Sequence, residues 1–207
     1  MSQKIIGIID YGMGNLRSVG KAVERMGGRV YVGSDPKKLR QAEKLILPGV
    51  GAFGDAIREL KKRGLIPVIK KAIKKKKPFL GVCLGLQLLF ESSEESPGVK
   101  GLGIWKGKVK RFRLKKSVDF KIPQMGWNQV KWMRSSSVSR RVKTQSYFYF
   151  VHSYFAEPKD RSLIVGNTDY GVKFPSVLAN GNVFAVQFHP EKSQKTGLQI
   201  LKNFIGL

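Results

Sequence analysis

The segment Gly81-Val82-Cys83-Leu84-Gly85 places the single cysteine of the chain between a predicted strand and a predicted helix. A nucleophile at a tight strand-to-helix turn lies exposed above the edge of a sheet, and flanking glycines leave room for such strained geometry. The helix that follows favours the thiolate of Cys83 and offers the backbone N–H of Leu84 to a developing oxyanion. The segment therefore predicts a thiol nucleophile. The alternative is a small buried side chain at the end of a strand.

A thiol nucleophile requires a base, and the chain has two histidines. His189 is followed two positions later by Glu191, which can accept the second ring N–H and stabilise the imidazolium. His152 has no acidic residue close to it in sequence. Either histidine alone is compatible with an ordinary hydrogen-bonded side chain at a strand end. The pairing with a carboxylate favours Cys83, His189 and Glu191 as the catalytic residues.

A second glycine-rich turn, Leu47-Pro48-Gly49-Val50-Gly51, also follows a predicted strand. Glycines on both sides of Val50 allow its peptide plane to rotate, so that its N–H can turn toward an oxyanion. Because the ends of parallel strands meet at one edge of a sheet, we expect this turn to lie beside Cys83. Phosphate binding is a competing interpretation, but no Gly-Lys-Ser/Thr follows. A plain turn before a helix also fits the pattern.

The elements that must position these residues are predicted from the spacing of apolar side chains. In the first half, strands alternate with helices, over residues 4–10, 16–26, 29–33, 44–47, 53–60, 65–73, 78–82 and 84–91. In the second half, strands follow one another over residues 104–112, 129–133, 147–151, 163–167, 176–179 and 183–187, and a helix covers 194–205. Residues 92–98 and 135–139 are predicted to be exposed loops.

The alternation of strands and helices predicts a parallel sheet with helices on both faces. We expect an α/β fold: a single domain over residues 1–207, with a central, mostly parallel sheet flanked by helices. An antiparallel or mixed sheet extends it in the C-terminal half.

Composition excludes several classes of protein. At 207 residues and 42% hydrophobic content, the chain can bury a core without a disulfide or metal staple. One cysteine and two histidines are too few for a structural zinc site, so we expect no metal. No apolar run approaches the ~18 residues of a membrane span, and residues 1–9 lack the pattern of a signal peptide. We expect a cytoplasmic protein without a membrane partner.

The charge balance is unusual, with 39 Lys and Arg against 14 Asp and Glu, a formal net charge of +25. Such an excess increases attraction to nucleic acid, anionic lipid or an acidic partner. Basic runs occur at residues 61–63, 70–77 and 106–116, without the interleaved aromatic residues of a stacking platform. We therefore expect solvated basic faces and no specific binding of nucleic acid.

Three motifs together resemble those of the class I, triad-type glutamine amidotransferases: Pro48-Gly-Val-Gly51, Gly81-Val-Cys-Leu-Gly85-Leu-Gln87 and His189-Pro-Glu191. Within that class the chain is similar to the glutaminase subunits of imidazole glycerol phosphate synthase. That narrower resemblance is carried by Asp10-Tyr-Gly-Met-Gly-Asn15-Leu-Arg-Ser18, Pro123-Gln-Met-Gly-Trp-Asn128 and Tyr149-Phe-Val-His-Ser-Tyr154.

The resemblance implies that Cys83 attacks the side-chain amide of glutamine, with His189 as base and Glu191 orienting it. It implies oxyanion-hole N–H groups from Val50 and Leu84. The residues implied to hold glutamine are Gly51, Gln87, Ser153 and Tyr154. The residues implied to face the partner are Asn15, Trp127, Tyr149 and Lys192.

The implied partner is the cyclase subunit of imidazole glycerol phosphate synthase, in a heterodimer. The cyclase takes the ammonia and forms imidazole glycerol phosphate and aminoimidazole-carboxamide ribotide. No metal or organic cofactor is implied. We hypothesise that the turn at residues 49–51 rotates only in the loaded complex, which predicts low glutaminase activity for the isolated chain.

Two other functions stay open from the residues. The ammonia can instead serve pyridoxal phosphate, anthranilate, carbamoyl phosphate or guanylate synthesis. The fold can also be a non-enzymatic protein that binds RNA or acidic partners through its basic faces, although this leaves Cys83 and the His189–Glu191 pair without a role.

Overall fold

The computed structural model describes residues 5–114 and 120–207. Within these ranges the strands are β1 (Ile5–Ile9), β2 (Arg29–Gly33), β3 (Lys44–Leu47), β4 (Phe79–Val82), β5 (Ser92–Ser93), β6 (Gly107–Arg111), β7 (Gln124–Trp132), β8 (Ser146–His152), β9 (Tyr154–Pro158), β10 (Ile164–Asp169), β11 (Lys173–Asn180) and β12 (Val183–Val186). The α-helices are α1 (Leu16–Arg25), α2 (Pro36–Gln41), α3 (Phe53–Lys62), α4 (Leu65–Lys74), α5 (Leu84–Gln87) and α6 (Gln194–Ile205). Short 3-10 helices cover Ser137–Ser139, Arg161–Leu163 and Pro190–Lys192.

A nine-stranded sheet organises the molecule in the order β2-β1-β3-β4-β12-β11-β10-β7-β8. The strands from β2 to β12 in this order are parallel to one another. From β12 onward each neighbouring pair is antiparallel. The carboxyl ends of β3, β4 and β12 consequently meet at one edge of the sheet, where an α/β fold commonly binds its ligand.

Two apolar layers cover the faces of this sheet. Successive residues of a strand point to opposite faces, so that Leu45 and Leu47 pack into one layer and Ile46 into the other. Helices α3 and α4 contribute to the first layer, and α1 and α6 to the second. Burial on both sides explains why the central strands are continuous apolar runs in sequence. The predicted fold class is confirmed.

A second, three-stranded sheet has the order β5-β6-β9, with β6 and β9 antiparallel. The prediction that residues 92–98 form only an exposed loop is wrong, because β5 pairs with β6 and Ser93 is buried. The predicted strand over 104–112 begins instead at Gly107.

The prediction of one helix over residues 84–91 is also wrong, since α5 ends at Gln87. The carbonyls of Leu88 and Leu89 accept hydrogen bonds from the returning segment at residues 102–105 instead of from a further helical turn. The short helix α2 was not predicted from the sequence; Asp35 caps it by accepting a hydrogen bond from the Lys37 N–H.

The basic residues lie mostly on the surface, as predicted for a solvated face. Lys70, Lys71 and Lys74 of α4 are exposed, opposite the buried Ile69 and Ala72. The basic run at 106–116 ends in residues outside the described part of the chain. No helix of the described residues is long and apolar enough to cross a membrane.

Candidate active site

Cys83 lies on a strained elbow between β4 and α5. Its backbone has φ +55° and ψ −110°, a conformation that residues with a side chain rarely adopt. The Cys83 N–H donates to the Val186 carbonyl of β12 at 2.8 Å, which continues the strand pairing to the elbow. Gly85 must be glycine because a Cβ there would overlap the Leu47 carbonyl oxygen at the end of β3. The strained turn predicted from the flanking glycines is thus present.

The helix after the elbow is one turn long. Leu84 is its first residue, so its backbone N–H has no acceptor within the helix and stays available beside the sulfur. A single turn carries little macrodipole, however. Activation of the thiol therefore depends more on neighbouring side chains than on the helix field that the sequence suggested.

His189 and Glu191 form a buried pair at the end of β12. The His189 Nδ1 lies 2.8 Å from Glu191 Oε1, with the two side chains only 3% and 1% exposed. Burial alone would lower the pKa of His189, but the Cys83 sulfur and the Glu191 carboxylate outweigh it and raise that pKa to about 10. The imidazolium is therefore stabilised beside an ionised sulfur, so that the ring can accept the proton of the Cys83 thiol.

The Cys83 sulfur lies between the histidine and two further polar groups. It is 3.9 Å from the Val151 carbonyl oxygen of β8 and 3.8 Å from Gln187 Nε2. The His189 Nε2 is buried without a partner in hydrogen-bond geometry among the described residues, although the sulfur is close enough to shift its pKa. The structure thus brings Cys83, His189 and Glu191 together, with the imidazole between the sulfur and the carboxylate.

The turn at residues 48–51 lies next to the elbow, as expected from the strand order. Gly49 lies between the Tyr11 hydroxyl and Leu84, and a Cβ at Gly49 would lie 3.0 Å from the Leu84 Cβ. Val50 is 41% exposed, and Gly51 has φ +92°. The Val50 peptide therefore lies between two glycines at the mouth of the site.

A cavity of about 300 Å³ opens onto the sulfur. Its lining comprises Val50, Gly51, Cys83, Leu84, Gln87, Glu95, Pro123, Val151, His152, Ser153 and Tyr154. All four residues predicted to hold glutamine belong to this lining. The carbonyl of Ser153 already accepts from the Phe112 N–H, and that of Tyr154 from Gln87 Nε2.

Glu95 also lines the cavity, although nothing in the sequence predicted it there. Among the described residues of the lining it is the one carboxylate, and its Oε2 also accepts a hydrogen bond from the Phe53 N–H at 2.7 Å. Its sequence context, a polar segment after α5, carries no signal of a site. Only the pairing of β5 with β6 brings this segment back to the cavity.

His152 also lines the cavity but is held neutral. Its Nδ1 donates to the Tyr154 carbonyl at 2.7 Å, and its ring packs against Phe112 and Phe174. Burial lowers the pKa of His152 to about 4. Since its ring is neutral and has no carboxylate partner, it is a poor alternative to His189. Among the described residues, no cluster of His, Cys, Asp and Glu side chains is arranged to hold a metal ion.

Comparison with known proteins gives a consistent result. The sequence profile of the family Glutamine amidotransferase class-I matches residues 8–206. The chain belongs to the class-I glutamine amidotransferases. Within that class it belongs to the HisH subunits of imidazole glycerol phosphate synthase, which confirms the narrower resemblance. The subunit from Methanocaldococcus jannaschii is 52% identical over 98% of this chain and 100% of that protein. The subunit from Aquifex aeolicus is 51% identical over 95% of this chain and 94% of its own length.

Solved structures agree on the fold of this amidotransferase. A structure of PurLQS from Thermotoga maritima has a TM-score of 0.76 at 20% identity and covers 99% of this chain and 98% of its own. The glutaminase domain of Trypanosoma brucei CTPS has a TM-score of 0.66 at 17% identity, over 99% of this chain and 92% of that one. At this level of identity the likeness concerns the arrangement of strands and helices.

Three of the four predicted interface residues of the amidotransferase form one surface patch. Trp127 of β7 and Tyr149 of β8 are cross-strand partners with an edge-to-face ring contact, and the Lys192 Nζ lies 5.7 Å from the Tyr149 ring. Met125, which sequence analysis did not single out, is 65% exposed on the same strand. Asn15 precedes α1 at the carboxyl edge of the sheet and is exposed.

Proposed function

We propose that the chain hydrolyses glutamine through Cys83, His189 and Glu191 and delivers the ammonia to a cyclase subunit. In this proposal residues 1–207 act as one amidotransferase domain. The cyclase uses the ammonia to form imidazole glycerol phosphate and aminoimidazole-carboxamide ribotide in histidine biosynthesis. The observation that carries the proposal is the sulfur on its strained elbow, beside a cavity and a buried imidazole–carboxylate pair.

The first half of the reaction forms a thioester. The Cys83 thiol transfers its proton to His189, and the thiolate attacks the side-chain carbonyl carbon of glutamine. The carbonyl oxygen becomes an oxyanion, for which Leu84 and a rotated Val50 peptide supply N–H donors. Collapse of this intermediate breaks the C–N bond, and the His189 imidazolium protonates the nitrogen, so that ammonia leaves and a glutamyl thioester remains.

The second half regenerates the thiol. His189, again neutral, takes a proton from water, and the resulting hydroxide attacks the thioester carbonyl. The same N–H donors stabilise the second oxyanion. Cleavage of the C–S bond gives glutamate, and the proton held by His189 returns to the sulfur. Glu191 keeps the Nδ1 proton in place throughout, which leaves Nε2 to face the sulfur.

The cavity supplies the groups that a free amino acid requires. Glu95 offers a carboxylate to the α-ammonium group of glutamine, and the described residues of the lining include no other carboxylate. The backbone of Gly51, Ser153 and Tyr154 and the side chain of Gln87 surround the remaining polar atoms. A volume of about 300 Å³ suits a ligand of this size.

The patch formed by Trp127, Tyr149 and Lys192, with Asn15 nearby along the sheet edge, is proposed to receive the cyclase. Exposed aromatic residues of this kind are typical anchors of a protein interface. The Tyr149 carbonyl accepts the backbone N–H of His189 at 2.9 Å. A subunit that docks on Tyr149 therefore contacts the strand that holds the catalytic base.

Replacing Cys83 by alanine in the complex with the cyclase subunit tests the function. We expect loss of synthesis from glutamine by more than about a thousandfold, because no thioester can form. Synthesis from added ammonium salt should persist, since the cyclase site is intact. The measurement is formation of imidazole glycerol phosphate from each nitrogen source. Equal loss from both sources, with the complex still assembled, would contradict the assignment of the nucleophile.

A further inference from the structure

We propose that Gln187 is a catalytic residue whose side-chain amide donates a hydrogen bond to the Cys83 sulfur and stabilises the thiolate. The inference deepens the proposed function, on which it rests, because it names a group that acts on the same nucleophile. Gln187 directly follows β12, two positions before His189, and no role was assigned to it from the sequence.

The contacts of Gln187 fix its side chain at the site. The residue has no exposed surface, and its backbone N–H donates to the Ser176 carbonyl of β11 at 2.9 Å. Its Nε2 lies 3.8 Å from the Cys83 sulfur, a distance at which sulfur accepts a hydrogen bond. Its Oε1 lies 3.2 Å from Gln87 Nε2. Both ends of the amide therefore have partners inside the site.

A backbone carbonyl determines which end of the Gln187 amide faces the sulfur. The Tyr154 oxygen can only accept, and it lies 3.0 Å from the Gln87 side chain, so the NH2 group of Gln87 must face it. The second N–H of Gln87 then points to Gln187, which must present its oxygen in return. The NH2 group of Gln187 is consequently directed at Cys83. The Tyr154 carbonyl thus fixes the orientation of the Gln87 amide, and Gln87 in turn fixes which end of the neighbouring amide faces the sulfur.

The two polar contacts of the sulfur favour opposite protonation states. The Val151 carbonyl, at 3.9 Å, accepts an S–H and repels a thiolate. The Gln187 N–H stabilises a thiolate, because a hydrogen bond to an ionised acceptor is stronger than one to a neutral acceptor. When Cys83 gives its proton to His189, the interaction with Val151 is lost and the one with Gln187 strengthens. The Gln187 amide therefore favours proton transfer toward the imidazole.

Other ionisable groups face the sulfur from several elements. His189, backed by Glu191, approaches after β12, and Tyr11 follows β1. His152 of β8 interacts with His189 and is held neutral by burial. A change confined to the Gln187 amide leaves all of these groups in place, so a change in thiol ionisation reports the amide itself.

The test is the pH titration of the Cys83 thiol in the isolated chain, with the variants Gln187→Met and Gln187→Leu. The chain contains one cysteine, so the ultraviolet absorbance of the thiolate and the rate of alkylation by iodoacetamide both report Cys83 alone. A Cys83→Ala chain supplies the background from tyrosine. Gln124→Met is the matched control, because Gln124 is also buried and has no hydrogen-bond contact with the sulfur.

We expect the midpoint of thiolate formation in Gln187→Met to rise by about one pH unit, with roughly tenfold slower alkylation below the midpoint. Gln187→Leu should act in the same direction, and Gln124→Met should match the unaltered chain. Gln87→Met should give a smaller rise, because Gln187 loses the partner that orients it. A folded Gln187 variant that titrates like the unaltered chain would overturn the inference.

This experiment separates the inference from the proposed function. Alkylation by iodoacetamide requires neither glutamine nor a cyclase subunit. If the proposed function fails, the complex does not turn over glutamine while the thiol titrations still differ between Gln187→Met and Gln124→Met. If the inference fails, these titrations coincide while glutamine turnover by the unaltered complex persists.

Discussion

At the scale of single residues, the two histidines of the site are held in opposite forms by their surroundings. His189 faces a carboxylate and a sulfur, and these two groups stabilise the imidazolium and so raise the pKa of His189. His152 faces aromatic rings and one carbonyl, and burial lowers its pKa to about 4. These opposite pKa shifts distinguish His189, which can carry a proton in catalysis, from His152, which shapes the cavity.

The lowered pKa of His152 predicts sensitivity of the fold to acid. As the pH falls from about 6.5 to about 4, His152 becomes protonated in the unfolded chain but stays neutral in the folded chain. The free energy of unfolding therefore falls. A pKa difference of this size corresponds to about 3 kcal/mol in the free energy of unfolding. His152→Gln should lose correspondingly less stability across this range, as measured by urea unfolding at each pH.

His189 does not produce the same effect, because its pKa is shifted upward. Its contribution to stability is fully present below pH 6.5 and is lost as the pH rises through about 10. The free energies of unfolding of His152→Gln and of the unaltered chain are therefore compared between pH 6.5 and pH 4. Parallel loss of stability by both chains between pH 6.5 and 4 would contradict a buried neutral His152.

The side chains that the structure brings together at the candidate site were predictable from sequence because each carries a local signal. Cys83 has its flanking glycines, and Glu191 stands two positions after His189. Gln187 and Glu95 carry no such signal. Their roles depend on contacts with Cys83 and with the cavity that form only when distant strands pair.

At the scale of elements, three turns at the carboxyl edge of the sheet form the site together. The turn after β3 packs against the segment after β1, where the Tyr11 hydroxyl contacts Gly49 and the Met13 side chain approaches Gly51. The elbow after β4 contacts the same turn through Leu84. Movement of the Val50 peptide is therefore coupled to both neighbouring turns.

Gly49→Ala should disable the oxyanion hole without removing the nucleophile. A Cβ at Gly49 would overlap the Tyr11 hydroxyl, so the turn must shift and displace the Val50 N–H. One oxyanion donor is worth ~3–4 kcal/mol, so we expect glutaminase activity of the cyclase complex to fall by a factor of roughly 100 to 1,000. Steady-state release of glutamate measures the effect.

The control for this substitution is Gly20→Ala in α1, where a Cβ would meet only ordinary contacts at 3.7 and 3.8 Å. Its activity should equal that of the unaltered chain. Retention of full activity in Gly49→Ala, with the chain folded, would show that the turn has no part in stabilising the oxyanion.

The elements themselves were predictable wherever the apolar pattern reflects one buried face or one buried strand. Helix α6 was predicted at its observed limits for this reason. The pattern failed after Gln87, because Leu88, Leu89 and Phe90 are buried on every side and apolar spacing no longer distinguishes a helix from a turn. Strand β9 was missed because it becomes defined only by pairing with β6.

At the scale of the whole molecule, charge is the feature that the fold does not require. Of the 39 Lys and Arg residues behind the net charge of +25, most of those that the structure describes are exposed, whereas Lys44 is buried. Surface ion pairs such as Lys110–Glu157 contribute little to stability. Repulsion among the excess cations should therefore oppose folding and speed the encounter with an acidic partner surface.

Added salt should stabilise the isolated chain, because it screens this repulsion. We expect the Tm to rise by a few degrees between about 0.05 and 0.5 M NaCl. A variant in which four exposed lysines of α3 and α4 are replaced by glutamine should respond less: Lys61, Lys62, Lys70 and Lys71. A Tm that falls with added salt, both in the unaltered chain and in the variant with four replaced lysines, would contradict the claim that repulsion among cations opposes folding.

The central claim is that Cys83 is the nucleophile that attacks glutamine. Its most direct test is covalent labelling by a glutamine analogue that carries a diazoketone in place of the amide, followed by peptide mass spectrometry. We expect one equivalent of label on Cys83, slowed by excess glutamine and nearly abolished in His189→Ala. Absence of label from Cys83, or labelling that neither glutamine nor His189→Ala changes, would contradict the claim.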